Sequence, residues 1–282
     1  MSVARGSVPR QATTIRGVAL VALALSAVVP IGLLLLSSLS GRWFYPSLLP
    51  QSFSTAGWSA LAQSGQRLGV ALRGSVVLAV INGVVGCAVA FPLGRTIARL
   101  TRWARYVAAA AVFAPIAAPP IAFGIGVQYF FLSVGLGATA LGVLLAHLVP
   151  TIGYLSLYFV GVFTVLETGA EDEARTLGAT ARQVLWLVTI PILRRQIVEA
   201  MAIGFLISWS QYALTLTVGA GAVHTLPLEV FAYMRDGQGS YAAAAALVMI
   251  VPPMLLLFAA QYASGAVDIG RAEARRTGII PL

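Results

Sequence analysis

Apolar residues run along this chain in six long, charge-poor stretches, near residues 17 to 39, 70 to 94, 105 to 129, 137 to 163, 197 to 218 and 240 to 263. At about 1.5 Å per helical residue, each stretch reaches at least about 30 Å, enough to cross a hydrocarbon core. The pattern predicts an all-α, polytopic membrane protein with six transmembrane helices. It divides the chain into an N-terminal segment (1–16), a single membrane domain (17–263) and a C-terminal tail (264–282). The first stretch follows Arg5, Arg10 and Arg16. It outruns the roughly 15 residues of a signal-peptide apolar region and no A-x-A cleavage site follows, so the expectation is a retained signal anchor. No internal repeat or low-complexity linker interrupts the pattern.

Composition agrees, with 59% hydrophobic and 10% charged residues. A soluble chain of this length needs far more polar surface. The single cysteine, Cys87, lies in an apolar run and can form no internal disulfide. Every basic residue is an arginine, and their placement is lopsided. Fourteen fall before span 1, between spans 2 and 3, between spans 4 and 5, or after span 6, whereas Arg42, Arg67, Arg73 and Arg235 fall on the other side. The excess places both termini and the loop between spans 4 and 5 in the cytoplasm. The net charge of +9 is thus mostly a topology signal. Arginines scattered over four short segments do not make a nucleic-acid-binding module.

The loop at about 165–195 is charged and amphipathic between two membrane spans. From Glu171 to Leu177 it suits a short helix with acids at its N-terminus, where the macrodipole favours them, and Gly178 supplies a turn that a Cβ resists. A second short helix is expected over Ala181 to Val188. Leu177, Val184, Leu185 and Leu187 can then enter a partner's groove, with Glu171, Asp172, Arg175 and Arg182 as its polar rim.

Within that loop, Asp172, Glu173, Ala174, Arg175, Leu177 and Gly178 are followed by Val188, Ile190 and Pro191. The spacing resembles the "EAA" loop of permease subunits of ABC importers. Asp172 stands at the acidic position, Ala174 at the second small position, Gly178 at the glycine, and Ile190 and Pro191 at the aliphatic and proline positions. Asp replaces the family's Glu, and Glu173 its first alanine. The resemblance implies a type I importer permease with the methionine-importer-like fold, whose two-helix loop seats in a cleft of a separate ATPase. It also implies a second permease copy or a sister permease, two ATPase subunits and an extracytoplasmic solute-binding protein. ATP and Mg would be bound by the ATPase, and no cofactor by this chain. The outer loop at about 40–69, with Trp43, Tyr45, Pro46, Pro50 and Trp58, reads as an interfacial aromatic belt. It also resembles the equivalent loop of polyamine, thiamine and iron importer permeases.

Candidate chemistry is otherwise sparse. Without a lysine, the chain cannot hold the G-x-x-x-x-G-K-[ST] phosphate loop, so energy from ATP must come from another polypeptide. His147 and His224 are far apart and one cysteine makes no zinc site. No G-x-S-x-G elbow is present. Two polar stripes remain. His147, Thr151, Tyr154 and Tyr158 share a face of span 4, and Ser208, Gln211, Tyr212 and Thr215 lie at helical spacing in span 5. They either line the solute path or hydrogen-bond between helices. Asn82 in span 2 reads as helix glue. Pro115, Pro119 and Pro120 in span 3 and Pro252 and Pro253 in span 6 can kink their helices.

These readings converge on a multi-pass permease of a bacterial inner membrane, half of a translocation path and not an enzyme. The alternatives are a secondary transporter, which needs titratable groups at mid-membrane, and a polytopic membrane enzyme, which needs a reactive cluster. The outer-loop and span 5 resemblance implies a small cationic solute such as a polyamine or thiamine, although neither striped span offers an obvious acidic counter-ion.

Overall fold

The computed structural model describes residues 10–276 apart from 45, 64, 167 and 168, with side chains from 17 to 261 apart from 27 and those same gaps. Tyr45 and the side chains of Arg5, Arg10, Arg16, Arg271, Arg275 and Arg276 lie outside the described residues. The order is α1 (Arg10–Ser38), β1 (Ser40–Arg42), β2 (Ser52–Phe53), α2 (Ala56–Gln63), α3 (Gly65–Ala98), α4 (Arg102–Ala117), α5 (Pro120–Ser133), α6 (Ala140–Val165) and α7 (Gly169–Thr176). There follow α8 (Ala181–Gln183), a π-helical turn (Val184–Thr189), α9 (Ile190–Ile192), α10 (Arg194–Trp209), α11 (Ala213–Gly219), α12 (Leu226–Arg235) and α13 (Gly239–Arg276). The architecture is all-α, with β1 and β2 forming a small antiparallel pair.

Among the described residues, four helices are long and apolar enough to cross a membrane, and six spans result if each of two bent helix pairs is one span. With the bent pairs so counted, the number of spans agrees with the six expected. Span 3 is α4 and α5, bent by 95°, and span 5 is α10 and α11, bent by 61°. At the first break, Ala118 is extended (φ −70°, ψ 141°) and Pro119 and Pro120 follow. A residue before proline is pushed out of the helical region, and Pro120 tolerates only the first turn of the next helix. Pro92, Pro115, Pro150, Pro252 and Pro253 all sit inside helices that continue through them.

The described chain divides into two compact units. One comprises the residues up to Gly65 with Val230–Val248, and the other Gln66–Glu229 with the residues from Met249 on. In the first, the β1–β2 pair follows α1, and Trp58 of α2 donates its indole N–H to Ser38 Oγ at 3.2 Å. Gly57 packs closely enough that a Cβ would stand 2.8 Å from the Ser240 carbonyl oxygen.

The second unit holds the loop between α6 and α10. Its core has three apolar clusters, and α3 contributes to each. Ala71, Ala79, Phe205, Trp209 and Leu226 form one; Leu78, Phe131, Val143, Ala146, Leu214 and Val218 the next; Cys87, Ala90, Leu155, Phe159 and Ala200 the third. Small residues let these helices approach. A Cβ on Gly83 would stand 2.6 Å from the Met201 carbonyl oxygen of α10, and one on Gly94 would stand 2.5 Å from Phe159 Cβ of α6. Such close backbone approach substitutes for the hydrophobic drive that lipid removes. Buried Asn82 donates to Leu144 O at 3.5 Å, a long bond from α3 to α6.

Candidate functional site: a two-helix loop and a polar cluster

The loop turns about Gly178. α7 carries Glu171 and Asp172 in its first turn and Arg175 in its last, which complements the helix dipole. It closes with a Schellman pair: Ala179 N–H donates to Ala174 O and Gly178 N–H to Arg175 O, both at 3.0 Å. That closure needs a left-handed residue, and Gly178 supplies it at φ +88°. Thr180 and Gln183 then form a capping box that starts the second helix. This helix runs from Ala181 through the π-helical turn to Ile192, four residues beyond the predicted end at Val188. Pro191 has no N–H for the ordinary ladder, and the wider turn lies immediately before it.

Two of the loop's expected surface residues are buried, which corrects the sequence reading. Glu171 is 3% exposed and Val184 is 1% exposed. The reason is a charge cluster that the sequence did not bring together. Arg95 Nη2 of α3 reaches both Glu171 oxygens, at 2.9 and 2.7 Å. Arg99 Nη2 lies 3.3 Å away, and Thr189 donates its hydroxyl to Oε1 at 2.6 Å. Arg95 also sits over the Phe163 ring of α6, 5.8 Å from its centre. A buried carboxylate requires such compensation. The missed signal was Arg95 and Arg99 at i and i+4, which share a face at the end of α3.

The other loop residues divide between surface and interior, with Leu185 half-buried and Arg182 exposed. Asp172 and Glu173 are exposed, Ala174 and Ile190 are half-buried, and Pro191 is exposed. Arg175 lies 3.9 Å from both Glu171 and Asp172, so it is held loosely. Leu177 is 83% and Leu187 is 72% exposed, with Trp186 also open, an apolar surface on a charged loop.

The polar stripes converge instead of running in parallel. His147 Nδ1 lies 2.9 Å from Ser208 Oγ of α10, and His147 Nε2 lies 2.9 Å from Thr215 Oγ1 of α11. Thr215 already spends its proton on Gln211 O at 2.7 Å. It must therefore accept from Nε2–H, which leaves Nδ1 to accept from Ser208. His147 thus bridges the two halves of the bent span. Thr151 bonds the His147 carbonyl at 2.9 Å and is buried with it. The span 5 residues cannot form one continuous stripe, because the helix breaks between Trp209 and Ala213.

Tyr154 and Gln211 are placed differently. They line a cavity of about 110 Å³ with Pro115, Ala118, Pro120 and Pro150, beside the break in span 3. Tyr154 is 47% exposed, and Tyr212 is half-buried outside that lining. An acid in span 5 also escaped notice. Glu199 of α10 accepts from the Tyr158 hydroxyl at 2.8 Å and from Arg195 Nε at 3.0 Å. Among the described residues no group of three metal-ligating side chains occurs.

A multi-span helical chain with a two-helix loop between its fourth and fifth spans has the architecture of a membrane permease, and the family match gives it that class. The chain belongs to the family described as "Binding-protein-dependent transport system inner membrane component", which matches residues 90–266. It is 30% identical over 172 residues to the molybdenum transport system permease protein ModB of Mycobacterium tuberculosis, covering 56% of this chain and 62% of that one. It is 25% identical over 132 residues to the putrescine transport system permease protein PotI of Escherichia coli, covering 45% and 47%. The chain thus spans less than two thirds of the curated relatives it matches. Its fold is that of a chain in a bacterial ABC transporter involved in alginate import, with a TM-score of 0.61, 18% identity, and coverage of 93% of this chain and 99% of that one. A second alginate transporter structure, solved with its alginate pentasaccharide-bound periplasmic protein, gives a TM-score of 0.64 at 13% identity, covering 89% and 96%.

Proposed function

We propose that this chain is one permease subunit of an ATP-driven importer in a bacterial inner membrane, forming half of the translocation path and catalysing no covalent chemistry. The observation that carries this is the loop itself: two helices turned about left-handed Gly178, presenting exposed Leu177, Trp186 and Leu187 within the family-matched region. Those apolar side chains would enter a groove of a separate ATPase, which holds the ATP and Mg, while Asp172, Glu173 and Arg182 form the polar rim. A second copy or a sister permease completes the path, and a solute-binding protein delivers solute from outside. ATPase closure draws the two loops together and opens the path outward, and hydrolysis resets it. The arginine distribution supports cytoplasmic placement of both termini and the loop.

The solute passes Tyr154 and Gln211, whose cavity has no charged side chain in its lining. Neutral hydrogen-bonding groups suit a small polar solute. A cationic solute is the narrower reading, supported by the similarity to PotI, whereas the similarity to ModB supports an oxyanion. A binding screen on the solute-binding protein that serves this permease decides between them. Co-purification tests the function: Leu177→Asp with Leu187→Asp should abolish capture of the cognate ATPase, and undiminished capture would refute the docking surface.

A further inference from the structure

We infer that Glu171 is the strut through which the loop's movement reaches the membrane helices, a positioning residue distinct from the docking surface. This rests on the permease reading above. Docking energy delivered to exposed Leu177 and Leu187 moves a span only if the loop is rigidly joined to one. The chain itself joins the second loop helix to α10, because Leu193 N–H donates to Thr189 O at 3.0 Å and Ile197 N–H to Leu193 O at 2.9 Å, but α7 follows an extended Leu166 and no chain connection joins the loop to α3. Side-chain bonds supply the junction to α7 and α3. One carboxylate, 3% exposed, holds Arg95 of α3 at 2.7 Å and Thr189 of the π-helical turn at 2.6 Å.

Glu171 therefore ties α7, the second loop helix and α3 at one point. Arg95 extends the junction to α6 by its position over Phe163, which packs edge-on against Phe91 at 5.2 Å. The pair is 76 residues apart in sequence, so the path bypasses the intervening chain. The π-helical turn belongs to the same device. Its extra residue sets Thr189 where the hydroxyl meets Glu171 and also reaches the Val184 carbonyl at 3.3 Å. Asp172, one residue on, is exposed and lies 3.9 Å from Arg175, so it contributes to the surface and not to the strut.

The test uses the full complex of permease, cognate ATPase and solute-binding protein in nanodiscs, and no solute need be known. On a Cys87→Ala background, a reporter Tyr154→Cys is labelled with a cationic methanethiosulfonate reagent in the absence of nucleotide and after ATP–vanadate trapping. In the otherwise unaltered complex, trapping should change the labelling rate about tenfold. In Glu171→Gln and Arg95→Gln, ATPase capture and basal hydrolysis should stay within about twofold, while the trapping response collapses to about twofold or less. A full response in both variants would overturn the strut. If either fails to assemble, Thr189→Val decides, because it deletes only the hydroxyl's bonds to Glu171 and the Val184 carbonyl and spares the ion pair. A response reduced about threefold supports the strut, and an unchanged one overturns it. If the unaltered complex neither captures the ATPase nor responds to trapping, the permease reading itself fails and the strut with it.

Discussion

His147 Nε2 donates to Thr215 Oγ1 across 2.9 Å, and this bond fixes the second half of a bent span against its neighbour. The ring's other nitrogen holds Ser208 on the first half. The bend of 61° is therefore braced from outside the span.

Removing that brace should be costly. His147→Leu leaves the buried Ser208 hydroxyl without its acceptor, at a cost of about 1–3 kcal/mol, and removes the donor to Thr215, which keeps its bond to Gln211 O. Thr215→Val should cost less, about 1 kcal/mol, since interhelical bonds in membranes are individually modest. Thermal unfolding in detergent should rank the variants in that order. Equal stability of His147→Leu and the parent would show that the histidine braces nothing.

Orientation is tested at Thr180, an exposed cap residue in the loop. On a Cys87→Ala background, Thr180→Cys should resist an impermeant thiol reagent added outside intact cells and react once the cells are opened. Labelling from outside would reverse the assigned topology. Cys87 is buried, so the parent chain gives little background.

Much of this architecture was legible because lipid imposes a simple rule. Length and charge-poverty located six spans, and α7, Gly178 and the second loop helix followed from dipole, turn and cap chemistry. What was not legible depends on pairing across long separations. The Glu171 to Arg95 contact joins two charged segments, and no periodicity within either one points to the other. Glu171 looked like a surface acid because its neighbours Asp172 and Glu173 are surface acids. Span 5 looked continuous because Ser208, Gln211 and Thr215 keep helical spacing through a break that contains neither proline nor glycine. By contrast, the break at Ala118 was announced by Pro119 and Pro120, yet Pro92, Pro115 and Pro150 leave their helices unbroken. Proline marks where a break is inexpensive; packing decides whether it occurs.

The two polar stripes should separate functionally. Gln211→Leu and Tyr154→Phe alter the cavity lining and should change transport or solute preference with assembly intact. Thr151→Val, whose hydroxyl is used within α6, should leave solute preference unchanged. Transport assays with the solute identified by the binding screen would measure this. Identical kinetics for Gln211→Leu and the parent would remove Gln211 from the path.

Gly178 offers the sharpest test of the loop. Nothing lies within 4 Å of the position a Cβ would take, so a side chain meets no clash there. The penalty comes from φ +88° alone, a region that a β-branched residue avoids at a cost of about 1 kcal/mol or more. Gly178→Val should insert normally yet tilt the second loop helix away from α7, weakening ATPase capture or uncoupling hydrolysis from transport. Asn tolerates the left-handed region, so Gly178→Asn should be milder. Asp172→Lys, which places a cation at the α7 N-terminus, should weaken capture through the dipole and the polar rim. Pull-down of the ATPase with hydrolysis and transport measured on one preparation distinguishes these outcomes. If valine and asparagine behave alike and both couple normally, the turn's geometry plays no part in docking and the loop is a linker.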